Sequence, residues 1–141
     1  LSALGVADCV RLEQNSIEDV DFNATSLVLL NYTLQFLDVA AREELLKRIY
    51  ASMVPGGVLF LSEKTRCLDE GEGEVVRVLH EDFKRQHGYS DSEIAKKRES
   101  LKGVLVPLTP EENEALLYKA GFERVVRVMQ GYGFISWIAI A

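Results

Sequence analysis

The stretch from Ser26 to Lys64 constrains the fold more than any other part of the chain, because it reads as one complete strand, helix and strand unit. Ser26 to Asn31 is an apolar run ending in a carboxamide, and Ala40 to Met53 has helical spacing. Pro55, Gly56 and Gly57 then turn into a second apolar run, Val58 to Leu61, closed by Ser62, Glu63 and Lys64. Such a unit belongs in a parallel sheet, and in open α/β sheets ligands sit outside the carboxyl ends of the strands. Asn31 and Glu63, at those ends, are the first residues to consider for function.

The flanking segments extend the pattern. Cys9 to Gln14 alternates with period two and predicts a short strand, followed by an acidic, turn-rich Asn15 to Asn23. In the first long helix Leu45, Leu46, Ile49, Tyr50 and Met53 form one apolar stripe, which Pro55 to Gly57 brings to a stop. Leu68 to Gly73 reads as a loop, and a helix resumes near Glu74 with Val75, Val76, Leu79 and Phe83 on one face. Ser90 and Glu93 have capping-box spacing and open a short basic helix through Ser100. Thr109, Pro110 and Glu112 start another, which turns Leu116, Leu117 and Ala120 inward and ends at Gly121. Arg124 to Met129 and Phe134 to Ile140 are the last strands, joined so closely through Gly131, Tyr132 and Gly133 that they pair antiparallel. The sum predicts an α/β fold with a mostly parallel sheet, in which the Ser26, Val58 and Arg124 strands are parallel and the Phe134 strand runs antiparallel among them.

Composition narrows the classes. With 141 residues, 48% of them hydrophobic, the chain can bury one ordinary core, so 1–141 is read as a single domain. A formal charge of −6 opposes a broad phosphate-binding surface, and direct nucleic-acid binding is not expected. No run of 18 apolar residues exists and the start lacks the basic flank of a signal peptide, so the reading is cytoplasmic, with no membrane contact. Cys9 and Cys67 lie far apart without metal-ligand spacing, and both are expected to be buried or inert thiols, with no metal. The chain opens on Leu1, and its first residues resemble the tail of an element, which reads as a fragment or a processed piece.

Particular residues carry more than a fold class. Leu30 to Leu37, Pro55 to Lys64, His80 to Arg85 with Gly88 to Ser90, then Glu93-Ile94 with Lys97-Arg98, and Lys119 to Glu123 occur in that order. Together they resemble the carboxy-S-adenosyl-L-methionine synthase family of the class I S-adenosylmethionine-dependent methyltransferase superfamily. The Pro55-Gly56-Gly57 turn and Lys119 to Phe122 are of kinds found in many methyltransferases, whereas the other blocks in this order are specific. The resemblance spans nearly the whole chain and is weakest in the last strand. It implies the C-terminal part of a Rossmann-like class I methyltransferase fold, with the first two strands and the glycine-rich turn absent.

That family resemblance implies an enzyme that moves a carboxylate from prephenate onto the methyl carbon of S-adenosylmethionine (SAM), releasing phenylpyruvate. The carboxy-SAM formed then serves a partner enzyme that modifies wobble uridine in transfer RNA, and the enzyme itself is implied to be a homodimer. The implied route, a sulfonium ylide capturing carbon dioxide, needs a site that excludes water and holds a cation near the sulfonium. By position, Arg98 matches the arginine that grips the transferred carboxylate, a task its planar, permanently charged fork suits. Asn31 matches the cofactor-facing asparagine at the end of the fourth strand of the family's sheet. Ser16 and Ile17 match the pair that holds adenine, the first accepting from its amino group and the second packing on the ring. The first of these is normally aspartate, and a neutral hydroxyl gives up ~1 kcal/mol of charge assistance.

Each residue also has a plainer reading. Asn31 could end its strand by bonding its own turn, and Lys96, Lys97 and Arg98 by themselves describe the solvated face of a short helix. His80 reads as a packing or surface histidine, Glu63 and Lys64 as a surface ion pair of little worth, and Tyr32, Phe36 and Trp137 as core aromatics. The glycine turn that meets the methionyl group and the acid that binds the ribose have no counterpart, and Gly5 alone supplies neither. In the family's sheet the two missing strands separate Cys9 to Gln14 from the Ser26 strand, so a gap is expected. The alternatives to a carboxy-SAM synthase are a small-molecule SAM-dependent methyltransferase, or a non-catalytic module that fills the gap by re-pairing strands or by association with another chain.

Overall fold

The computed structural model describes Gly5 and residues 9–141, so the opening segment read as the tail of an element lies almost wholly outside the described residues. Four strands, β1 (Thr25–Asn31), β2 (Met53–Lys64), β3 (Arg124–Gly131) and β4 (Phe134–Ile140), form one sheet in the order β1-β2-β4-β3. The helices are α1 (Val39–Ser52), α2 (Glu70–Gln86), α3 (Asp91–Leu101) and α4 (Pro110–Ala120). β1 and β2 are parallel across the α1 crossover, and β4 runs antiparallel to both β2 and β3. Three strands therefore share one direction, as the sequence predicts. The β3–β4 connection is a two-residue turn, with Tyr132 at φ +47° and Gly133 at φ +74°, both in the left-handed region a type I′ hairpin requires.

The core follows from the two periodicities. Val28 and Leu30 of β1 point inward while Leu27 and Leu29 are exposed, so one face of the sheet is covered. Against that face pack Leu45, Leu46 and Ile49 of α1 and Leu116, Leu117 and Ala120 of α4, around Leu59, Leu61 and Trp137. Gly121 ends α4 at φ +117° under the Tyr50 ring, which itself meets Phe122 edge-on with centroids 5.1 Å apart. Capping boxes form at Ser90 with Glu93 and at Thr109 with Glu112, as their spacing predicts.

Five expectations are corrected. Cys9 to Gln14 is not a strand: no neighbour offers a ladder, Leu12 is 83% exposed, and the alternation has nothing to bury. With that segment outside the sheet, the four described strands pair without a gap. Pro55 to Gly57 lies within β2, where the register jumps from Thr25↔Met53 to Leu27↔Val58, and the Gly56 N–H donates to the Ala141 carbonyl at 2.8 Å. α2 begins at Glu70 rather than Glu74, because the Asp69 carboxylate accepts the Glu72 N–H at 2.8 Å and caps a turn that Gly71 and Gly73 concealed. Cys9 is exposed and Cys67 half-buried, so Cys9 is not a buried thiol.

Candidate functional site at the carboxyl ends of the strands

β1 ends at Asn31, whose side chain is exposed beside the Asn31↔Ser62 pairing. The next residue, Tyr32, takes φ +55° and donates its N–H to the Ser62 carbonyl at 2.7 Å, which turns the chain off the sheet. Glu63 then fixes the departing segment. Its carboxylate accepts the N–H groups of Thr33 (3.1 Å) and Leu34 (2.9 Å) on one oxygen and of Gln35 (3.0 Å) on the other. Burial pushes the Glu63 carboxyl above its usual range, while these N–H groups and the Arg42 charge pull it back. Arg42, itself buried, donates to the carbonyls of Leu37 and Val106, both at 2.9 Å. Glu63 is thus no surface ion pair, as its side chain points into a nest of backbone donors that a sequence pattern does not display.

Beside Asn31 stands a wall of rings. Phe134, the first residue of β4, sits opposite Lys64 in the ladder and touches Tyr32 (centroids 5.6 Å) and His80 (5.2 Å), both nearly edge-on. His80 also stacks on Tyr132 at 5.9 Å, and the Lys64 Nζ lies 4.9 Å from the Phe134 centroid. Burial, then the charge of Lys84, lowers the Lys64 pKa. Burial, Lys84 and Lys64 likewise hold His80 below the ordinary histidine value. Tyr32 and Phe36 are each 47% exposed and are not core aromatics, whereas Trp137 is fully buried and donates its Nε1–H to Glu114 at 2.9 Å. The sequence reading missed Phe134, Tyr132 and Lys64 as a group, although Lys64 follows Glu63 directly at the strand end.

The other candidates lie on separate elements. Ser16 is exposed and caps the 3-10 turn Ile17–Asp19, its hydroxyl accepting the Glu18 N–H at 3.4 Å. Ile17 packs, partly buried, against the core. Arg98 of α3 donates from Nη1 to Oε1 of Glu81 on α2 at 2.7 Å and remains more than half exposed. Arg77 reaches the same carboxylate oxygen at 2.8 Å. Arg98 is therefore tied to α2 one residue from His80, whereas no contact joins Ser16 or Ile17 to the ring cluster.

Ser16 offers an exposed hydroxyl engaged by its own turn, Ile17 a partly buried apolar side chain and Asn31 an exposed carboxamide, which are residue types that a nucleoside could use. The chain adds neither a glycine-rich turn for the methionyl part nor an acid assigned to the ribose. Two clefts, of about 430 Å³ near Tyr50, Gly121 and Ala141 and about 280 Å³ near Phe22 and Arg48, touch none of these residues. Among the described residues no group of three or more His, Cys, Asp or Glu could hold a metal, and no helix is long and apolar enough to cross a membrane.

No protein-family model matches the chain. Among solved structures, the O-methyltransferase family 2 protein from Planctomyces limnophilus, solved with apigenin, superposes with TM-score 0.67 at 16% identity, covering 99% of this chain and 37% of its own. Human N-acetylserotonin methyltransferase, in complex with SAM, gives TM-score 0.60 at 19% identity, covering 91% of this chain and 32% of its own. The fold is that of the class I SAM-dependent methyltransferases. Among curated proteins, the carboxy-S-adenosyl-L-methionine synthase of Alteromonas mediterranea is 42% identical over 131 residues, 93% of this chain and 54% of the relative. That of Desulfotalea psychrophila is 48% identical over 113 residues, 80% of this chain and 46% of the relative. The chain is thus similar over most of its length to carboxy-S-adenosyl-L-methionine synthases, and it spans about half the length of the curated relatives it matches.

Proposed function

We propose that this chain is part of an enzyme that forms carboxy-SAM from SAM and prephenate. The observation that carries the reading is the 42% identity over 93% of the chain to a protein of that name. In the balanced reaction the ring carboxylate of prephenate passes to the methyl carbon of SAM. The displaced methyl proton and the ring hydroxyl leave as water, and the ring aromatises to phenylpyruvate. SAM supplies an electron-poor methyl carbon on a sulfonium. In this chain Asn31 orients the cofactor, Ser16 and Ile17 hold its adenine, and Arg98 grips the new carboxylate with two parallel donors. The buried Glu63 anchor keeps Asn31 and Tyr32 in place, since three backbone donors would have to be released before that segment moved.

The product serves, in this reading, a second enzyme acting on wobble uridine of transfer RNA, and the intact protein works as a cytoplasmic homodimer. Incubating the intact protein with SAM and prephenate and analysing the products by mass spectrometry tests the proposal. Carboxy-SAM and phenylpyruvate are the expected pair. S-adenosylhomocysteine with a methylated acceptor would instead make this a small-molecule methyltransferase, a reading the methyltransferase neighbours keep open. The isolated 141 residues are expected to bind SAM only weakly, and a micromolar or tighter dissociation constant from calorimetry would contradict that.

A further inference from the structure

We infer that Lys64, His80, Tyr132 and Phe134 form a recognition site for a small ring-bearing carboxylate, separate from the grip assigned to Arg98. The inference rests on the proposed reaction in one respect: a donor that gives up one carboxylate and keeps another needs a holder for the one it keeps.

Charge pairing is the first observation. The basic residues Arg66, Arg77, Arg85 and Arg98 each reach a carboxylate. Lys64 and Lys84 reach none among the described residues, although both are half-buried in a chain of net charge −6. A partly desolvated ammonium without a counter-ion is costly, and its contact with the Phe134 face offsets only part of that cost. Glu81, the acid nearest in sequence to His80, is already shared by Arg77 and Arg98. The vacant partner of Lys64 is an anion brought by a ligand.

Backbone conformation is the second. Among the described residues, the non-glycine positions with positive φ are Tyr32, which meets Phe134, and Tyr132, which stacks on His80. The hairpin turn accounts for Tyr132, but Tyr32 lies outside any hairpin, and a bulky tyrosine in the left-handed region is a strained conformation of the kind that concentrates at ligand sites. Both tyrosines are more than 40% exposed, so they face solvent rather than fill a core. Gly133 keeps that turn close to α2, for a Cβ there would lie 3.3 Å from Val76 Cγ1. The location, outside the carboxyl end of β2 and beside Asn31, is where an α/β sheet presents a second substrate to its cofactor.

Calorimetry on the intact protein with three probes separates the parts: phenylpyruvate (ring and carboxylate), benzyl methyl ketone (ring alone) and acetate (carboxylate alone). Phenylpyruvate should bind more tightly than either of the others. Lys64→Gln should weaken phenylpyruvate about tenfold, one charge-assisted contact, and leave the ketone and SAM unchanged. Lys64→Arg should restore most of the loss, and in wild type the His80 ring resonances should shift on titration with phenylpyruvate. Unchanged phenylpyruvate affinity in Lys64→Gln, or a ketone that binds as tightly as the acid, overturns the site. If phenylpyruvate binding depends on Lys64 but no carboxy-SAM forms, the site stands and the proposed reaction falls. If carboxy-SAM forms with Lys64→Gln unaltered in prephenate KM, the reaction stands and the site falls.

Discussion

Glu63 on β2 accepts the backbone N–H of Leu34 at 2.9 Å, across 29 positions of sequence. Because Thr33 and Gln35 donate to the same carboxylate, the segment that leaves β1 after Asn31 is held by a neighbouring strand rather than by its own turn. The candidate site is thus built on a buried anion whose partners are main-chain groups.

Glu63→Ala strands three donors and should cost about 3 kcal/mol or more. Glu63→Gln should cost less, since Oε1 can still serve Thr33 and Leu34 while only the Gln35 N–H faces an amide donor. Thermal unfolding should rank wild type above Gln above Ala, and equal midpoints would contradict the role. The pH dependence has a definite sign. Burial raises the Glu63 pKa, so the native state holds the proton more tightly than the unfolded one. Its contribution to stability therefore falls as pH rises from the ordinary glutamate range through the raised value, and Glu63→Gln removes that slope in denaturant titrations run across pH.

Gly121→Ala combines two penalties. The residue sits at φ +117°, and a Cβ there would lie 2.6 Å from Tyr50 Cε1. Left-handed strain and local overpacking together suggest a loss of about 2–4 kcal/mol. A loss under about half a kcal/mol by chemical denaturation would mean that Tyr50 and the α4 end yield freely, contrary to this packing.

Ser16→Asp tests the adenine assignment. Aspartate caps a turn as well as serine does, so the local fold should persist. Charge assistance of ~1 kcal/mol should raise SAM affinity about fivefold in the intact protein. Unchanged or weaker binding would detach Ser16 from the cofactor.

What could be read from sequence was whatever repeats along one element. The α1 stripe, both capping boxes and the direction of all four strands follow from spacing, and each is present. Cys9 to Gln14 misled because alternation signals a strand only when a partner ladder exists. Glu63 misled for the opposite reason, as its partners lie on a loop about 30 residues earlier and are backbone groups. The ring cluster draws Tyr32 from the turn after β1, His80 from α2, Tyr132 from the β3–β4 turn and Phe134 from β4, so no window of sequence contains it. Arg98 was chosen by resemblance, and its ion pair with Glu81 had no sequence signal beyond opposite charge.

The account depends most directly on Arg98, and one pair of dissociation constants tests it. Removing the side chain leaves Glu81 with Arg77 at 2.8 Å, so the fold should survive Arg98→Ala. If Arg98 holds the transferred carboxylate, the intact variant should lose roughly 1.5–3 kcal/mol, about one to two orders of magnitude, for carboxy-SAM and little for SAM. Arg98→Lys should recover only part, because a point charge lacks the bidentate fork. Calorimetry with both ligands on wild type and Arg98→Ala gives the ratio: a ratio shifted at least tenfold against carboxy-SAM is the predicted result, and an unchanged ratio would contradict the assignment.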